Sequence, residues 1–238
     1  DDPALQVVSG KAEGVYPGVS MQRTMAMITD STLPKPIILD FFRLDSKQMH
    51  QYDLPLYYMG QFIHTNVATK AFDSVRTRLG LSNGYQHLWK EAEGKALGPV
   101  AFTWLQGDRF YSMVSAADTF TTVMFTRIGA GDPNFNLRNE PGMMLRRNAT
   151  STVFATVIEP HGFFEPVNEI SIQATGRIKE VKVLMSTAET TVVEINGTGS
   201  MHWTFAVVNG EASTEATHSA TVGGKVISWK GNYHLWKN

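Results

Sequence analysis

Hydrophobic and polar positions alternate along most of this chain with a period of two. FTTVMFTRI (120–128), STVFATVIE (151–159), VKVLMS (181–186), ETTVVEI (189–195), HWTFAVV (202–208) and ATVGGKVISW (220–229) are short runs rich in β-branched and aromatic residues. Successive side chains of a strand point to opposite faces, so such runs bury one face and wet the other. Gly223-Gly224 predicts a two-residue hairpin turn, where both central positions favour a positive φ. Asn196-Gly197 and Asn209-Gly210 mark further turns. IILDFFRL (37–44), reached through Pro34 and Pro36, reads as a buried strand. One stretch carries a 3.6-residue period instead: in TKAFDSVRTRLGL (69–81), Ala71, Phe72, Val75 and Leu79 predict a short helix. The pattern predicts an all-β fold, an antiparallel β-sandwich of two stacked sheets with little helix. No repeat, low-complexity tract or Pro/Gly-rich linker divides residues 1–238, which therefore read as a single β-sandwich domain.

Composition narrows the chemistry. The 238 residues include no cysteine, which excludes disulfides, thiolate catalysis and Cys-ligated zinc. A net charge of −1 without a long Lys/Arg run gives no footprint for nucleic acid or an anionic membrane surface. No apolar run approaches the roughly 18 residues of a membrane span. The opening DDPALQVVSG has neither an initiator Met nor the pattern of a signal peptide. It reads as a chain that begins mid-protein, a processed product or a fragment.

HQYDLPLYYMGQFIHTN (50–66) concentrates two histidines, an aspartate and three tyrosines. On one strand, positions 50 and 53 point to opposite faces, so His50 and Asp53 share an ion only if Pro55 marks a bend. No HxH or HExxH spacing occurs, and no metal site is predicted within the chain. There is no GxSxG elbow and no Gly-rich loop opening a helix. Asp40, Asp45, Asp53, Glu91, Asp132, Glu140 and Glu159 are available for a glycosidase pair, but they read as turn and surface acids. Two stretches stand out. RIGAGDPNFNLRNEP (127–141) carries Arg127, Asn134, Asn136, Arg138 and Glu140, side chains suited to sugar hydroxyls and carboxylates. GYQHLWKEAEG (84–94) adds Gln86 and His87 beside Tyr85 and Trp89. These seven polar residues are the predicted substrate-binding set. The alternative is that both stretches are ordered loops at a domain interface.

In order along the chain, YPGVSMQRTMAMI, PIILDFFRLDS, HQYDLPLYYMGQFI, NGYQHLWKEA, FTRIGAGDPNFNLRNEP and VIEPHGFFEPVNE resemble the C-terminal part of the oligoalginate lyases. These form polysaccharide lyase family seventeen, of the heparinase II/III-like group. The resemblance runs from about residue 5 to the end. It implies an N-terminal helical toroid followed by a β-sandwich, with the active cleft between them. It also implies β-elimination on alginate oligosaccharides: neutralisation of the C5 carboxylate, removal of the C5 proton and departure of O4. The family's His/Asn/Tyr group belongs to the toroid, and its cleft tyrosine and zinc ligands lie upstream of Asp1. No catalytic residue is therefore assigned here, and no cofactor is expected in this chain. The expected partners are an alginate oligosaccharide and the helical toroid, with neither nucleic acid nor membrane. A bacterial periplasmic or secreted location is expected, and the isolated chain is expected to be inactive. The alternatives are a non-catalytic carbohydrate-binding or structural module, and a hydrolase with its own carboxylate pair.

Overall fold

A computed structural model describes residues 2–71, 77–129 and 140–237. Its strands in chain order begin with β1 (Leu5–Tyr16), β2 (Val19–Ile28), β3 (Ile37–Tyr57), β4 (Gln61–Thr65), β5 (Lys70–Ala71) and β6 (Thr77–Arg78). Next come β7 (Leu88–Lys95), β8 (Val100–Gln106), β9 (Arg109–Ser115), β10 (Thr122–Ile128) and β11 (Glu140–His161). The rest are β12 (Phe163–Glu165), β13 (Ile170–Ile172), β14 (Ile178–Ser186), β15 (Thr190–Gly197), β16 (His202–Val208), β17 (Thr217–Val222), β18 (Lys225–Lys230) and β19 (Tyr233–Lys237). The pairings are antiparallel throughout, so the fold is all-β as the period-two pattern predicts. Gly223 and Gly224 both take positive φ, 56° and 80°, and close the β17–β18 hairpin as expected.

Two long strands organise the molecule. β3 has 21 residues and β11 has 22. They pair from Tyr57↔Gly142 to Ile38↔Ile158, with a bulge between Ala149 and Ser151. In the half nearer the start of β3, β2 and β1 extend the sheet on one side, and β9 joins β11 on the other. This half packs against a second sheet, ordered β14-β15-β16-β19. Phe41, Leu39, Val157, Ile195 and Phe205 fill the space between, with the Phe41 and Phe205 rings 5.5 Å apart. In the far half, β10 and β7 continue the sheet beyond β11. There the sheet folds back through β9, β8 and β4, so one sheet supplies both layers of a second core. Leu54, Leu145, Val123, Phe102, Trp104 and Met113 build that core. The β17–β18 hairpin covers the outer face of the four-stranded sheet through Trp229 and Ala220 against Val192 and Ala206.

Pro55 sits inside β3 without breaking it. Among the described residues, β2 pairs with β3 only from Ile37 to Ser46 and the stretch around Pro55 pairs with β11 alone, as at the edge positions where proline is tolerated. The helix expected over 69–81 is corrected. Lys70–Ala71 and Thr77–Arg78 are short strands paired with β7, through Ala71↔Ala92 and Arg78↔Trp89. Residues 72–76 of that stretch lie outside the described residues. The outer edge of β7 carries backbone donors and acceptors that need partners, and pairing with that edge outweighs a weak helical period. Among the described residues, the helical element is a single 3-10 turn, Tyr85–His87.

Candidate functional site

The predicted site residues that the structure describes meet at one end of the large sheet. The start of β7, the end of β10 and the start of β11 lie side by side there. Ile128 pairs with Glu140 and with Leu88, and Arg127 pairs with Pro141 and with Trp89. The 3-10 turn carrying Gln86 and His87 leads into β7, and the Gly129 N–H donates to His87 O at 2.9 Å. Arg127, Glu140, Gln86 and His87, distant in sequence, are thus neighbours at this end. Asn134, Asn136 and Arg138 lie outside the described residues.

The register separates them by face. Cross-strand partners share a face and successive residues alternate. Arg127 therefore stands on the face of Trp89 and Glu91, whereas Glu140 stands on the face of Ile128 and Leu88. On the first face Arg127 Nε donates to Glu91 Oε2 at 2.8 Å, and Trp89 Nε1 donates to Gly129 O at 3.1 Å. The Arg78 guanidinium lies 4.9 Å from the centre of the Trp89 ring. Tyr58, almost fully buried, feels the charges of both Arg127 and Glu91, and burial raises its hydroxyl above the ordinary tyrosine value. Gln86 places a buried Oε1 that has no hydrogen-bond partner among the described residues, and His87 is exposed.

The second face holds a cluster of four charged and polar side chains, Asp53, Arg146, Tyr85 and Gln51. Asp53 and Arg146 are direct partners across the β3–β11 ladder. Arg146 grips the carboxylate with two parallel bonds, Nε to Oδ1 and Nη2 to Oδ2, both 2.8 Å. The Tyr85 hydroxyl donates to Oδ2 at 2.5 Å, and Gln51 Nε2 donates to the same oxygen at 3.2 Å. Burial, then the bond to Asp53, drives the Tyr85 hydroxyl well above its ordinary value. The Asp53 bond holds Arg146 above the ordinary guanidinium value. Tyr85 thus stays protonated and acts as a donor; its environment is the reverse of what a tyrosinate base requires. Beside the cluster, Tyr85 and Leu79 cover Met124, Met144 and Leu88. Tyr57, half exposed, lies over Gly142, where a Cβ would come within 3.0 Å of its ring and 2.8 Å of Thr126 Oγ1.

The stretch at 50–66 does not converge on an ion. His50 Nε2 is 3.0 Å from Ser46 Oγ, while Asp53 is engaged by Arg146. Among the described residues, no group of three or more His, Asp or Glu side chains is placed to hold a metal. Tyr52 is buried and donates to Thr150 O at 3.1 Å. Sequence reasoning placed Asp53 and Tyr85 among its candidates but missed Arg146. The available signal was MMLRRNATSTVF: two consecutive arginines inside a strand must point to opposite faces, and each needs an acceptor there.

No protein-family model matches the chain. An alginate lyase of Stenotrophomonas maltophilia is 33% identical over 234 residues, covering 98% of this chain and 31% of that protein. The chain is similar, over nearly all its length, to one part of an alginate lyase. An exo-oligoalginate lyase of Saccharophagus degradans is 32% identical over 235 residues, covering 95% of this chain and 31% of that protein. The chain therefore spans about a third of the length of the relatives it matches. Among solved structures, heparan sulfate lyase HepC of Pedobacter heparinus aligns with a TM-score of 0.46 and 10% identity, covering 97% of this chain and 26% of HepC. A mutant of HepC aligns with the same TM-score. At that distance the structural likeness carries no argument about function.

Proposed function

We propose that the chain is the β-sandwich part of an exolytic lyase that cleaves alginate or its oligosaccharides by β-elimination, completed by a helical toroid elsewhere in the same protein. The observation that carries this reading is the similarity to two alginate-cleaving enzymes across 95–98% of the chain. In such a reaction a uronate carboxylate is neutralised, the C5 proton goes to a base, and the electron pair forms the C4–C5 double bond as O4 leaves with a proton. In this reading the end of the sheet recognises substrate. His87 and Glu140 offer polar groups to sugar hydroxyls, and Arg127, steadied by Glu91, offers a guanidinium to a uronate carboxylate. Tyr85, kept protonated by burial and by its bond to Asp53, fixes the 85–87 turn and takes no proton.

The test is the appearance of unsaturated uronate absorbance with alginate oligosaccharides. The chain within its native polypeptide is expected to generate it, and the 238-residue chain alone is expected not to. Binding without turnover by the native polypeptide would replace the lyase with a carbohydrate-binding module. New reducing ends without unsaturation would replace it with a hydrolase.

A further inference from the structure

Three Asn-Gly steps occur along the chain: Asn83-Gly84, Asn196-Gly197 and Asn209-Gly210. A glycine nitrogen can attack the side-chain amide of the asparagine before it, because no Cβ on the glycine crowds the approach. The attack needs a side-chain amide free to turn and a main-chain nitrogen free to meet it. Two of the steps are locked. Asn209 is buried; its Nδ2 donates to Thr187 O and to Thr191 Oγ1, both at 2.8 Å, and its Oδ1 accepts from Thr191 Oγ1 at 3.2 Å. Asn196 Nδ2 donates to Glu194 Oε1 at 2.8 Å and to Glu180 Oε2 at 3.1 Å, and its Oδ1 lies 2.7 Å from His202 Nδ1. The Gly197 N–H is itself bonded to Met201 O at 3.0 Å.

Asn83 differs on each count. It is exposed, as is Gly84. Both take positive φ, 57° and 88°, and Tyr85 N donates to Ser82 O at 3.1 Å, so residues 82–85 form a turn of the type I′ kind. Asparagine and glycine are the residues that tolerate these angles, which explains the pair's place ahead of the 85–87 turn. Among the described residues the Asn83 side chain has no hydrogen-bond partner, and neither the C=O nor the N–H of the Asn83–Gly84 peptide has one. The space is open too: a Cβ at Gly84 would meet nothing within 4 Å. Ring closure must rotate this peptide out of the turn. What opposes the rotation is two main-chain bonds, Tyr85 N to Ser82 O and His87 N to Gly84 O, both 3.1 Å.

We propose that Asn83 is a site of spontaneous covalent modification, converted by water to aspartate and isoaspartate in the folded protein while Asn196 and Asn209 are preserved. The Gly84 nitrogen bonds to Asn83 Cγ and gives up its proton, the Cγ–Nδ2 bond breaks, and Nδ2 leaves as ammonia. Water then opens the cyclic imide. Opening at Cγ leaves an aspartate; opening at the backbone carbonyl leaves an isoaspartate, whose main chain runs through Cβ and Cγ. One water is consumed and one ammonia released, and nothing is oxidised or reduced. Either product exchanges a neutral amide for a carboxylate. The isoaspartate also adds a main-chain methylene to the turn that carries Tyr85 and His87. The inference does not rest on the lyase reading.

The experiment ages the native polypeptide in mildly alkaline buffer, with a parallel sample unfolded in urea, and follows all three steps by mass spectrometry of proteolytic peptides. In the native sample Asn83 is expected to convert at least about tenfold faster than Asn196 or Asn209, a ratio that one or two net hydrogen bonds suffice to give. In urea the three are expected to convert at like rates, since each precedes a glycine and none is held. Isoaspartate at position 83, told from aspartate by main-chain fragmentation, is expected among the products, and its absence would overturn the imide route. Equal conversion of the three steps in the native sample would overturn the selectivity. So would an Asn83 that survives in the native sample and converts in urea, since the turn would then protect it. The same ranking in urea as in the native sample would overturn the role given to the fold.

Discussion

The two halves of the β3–β11 pair differ in what their second face meets. In the near half the strands lie under the four-stranded sheet, and the contact is apolar, from Leu39 and Phe41 to Ile195 and Phe205. In the far half one face is equally apolar, against Phe102 and Met113, but the other carries Asp53 and Arg146 with Tyr85 bonded to them. The near half also carries an Asp–Arg pair on its other face, Asp40 gripped by Arg23 through two bonds, but that arginine side chain is 50% exposed. In the far half the Arg146 side chain is 21% exposed and the Tyr85 hydroxyl adds a further partner to the carboxylate. The lesson is that both halves rest on a buried apolar face, which tolerates no loss of volume, and that the far half adds a more enclosed polar cluster, which tolerates no loss of one member.

The largest effect is expected where volume is lost in the near half. Phe205 is fully buried and packs on Phe41 and Tyr233. Phe205→Ala should destabilise the chain by about 4 kcal/mol, the sum of lost transfer energy and the cavity left behind. Urea unfolding measures it. A loss under about 1 kcal/mol would mean that the two sheets do not meet through this ring.

Next comes a break in the far half. The Asp53 side chain is 4% exposed and that of Arg146 is 21% exposed. Arg146→Ala leaves a buried carboxylate facing Tyr85 and Gln51 alone, and should cost about 3 kcal/mol. Replacing both members, as Asp53→Leu with Arg146→Met, should cost less than Arg146→Ala because no charge is stranded. If the double variant proves the less stable, the pair contributes more than mutual neutralisation, and the contrast between the halves weakens.

These two halves were unequally legible. The period-two runs located β10, β14, β15, β16 and the β17–β18 hairpin to within a few residues, because one face of each is buried and the other is wet. The extent of β11 was not legible. STVFATVIE marks only its inner part, and the strand starts 11 residues earlier, at Glu140, through the polar stretch that holds Arg146 and Arg147. A charged residue inside a strand is explained only by its partner, and Asp53 lies 93 positions away. The short strands at 70–71 and 77–78 were misread because apolar spacing there answers to the edge of β7, a tertiary fact. Of the predicted binding residues, Arg127, Glu140, Gln86 and His87 do gather at one end of the sheet.

A smaller effect sharpens the role of Tyr85. Tyr85→Phe removes one hydrogen bond to a charged acceptor and should cost about 1.5 kcal/mol. Because the folded-state value of Tyr85 is raised above its reference of 10.0, its contribution is fully present below that pH. It is lost as pH rises through the folded value. The stability difference between wild type and Tyr85→Phe should therefore be flat from neutral pH to about pH 9 and shrink beyond pH 10, where the unfolded tyrosine ionises first. A difference that grows with alkaline pH would contradict the donor role.

The smallest expected effect concerns the edge of the near half, where one ion pair supplements burial. Asp30, just past β2, meets Lys237 at the end of β19, Oδ2 to Nζ at 2.6 Å. It also accepts from Thr32 N at 2.9 Å and Thr32 Oγ1 at 2.6 Å. Burial raises the carboxyl, but Lys237 and Thr32 outweigh it and hold it at about 2, below its reference of 3.8. A depressed carboxylate contributes stability that is present above the unfolded value and is lost as pH falls through the folded one. Asp30→Asn keeps an oxygen for Thr32 and removes only the charge. The Lys237 side chain is 35% exposed, so solvent screening reduces the cost to about 1 kcal/mol. That cost should be constant from pH 5 to 7 and vanish between about pH 4 and pH 2 as wild type takes up the proton. It should also shrink in 1 M salt, where the screening length falls to about 3 Å. The Phe205→Ala loss should show neither dependence, since no charge takes part in it. If the Asp30 effect survives both acid and salt, the loop after β2 is held by packing alone, and the near half needs no polar tie at its edge.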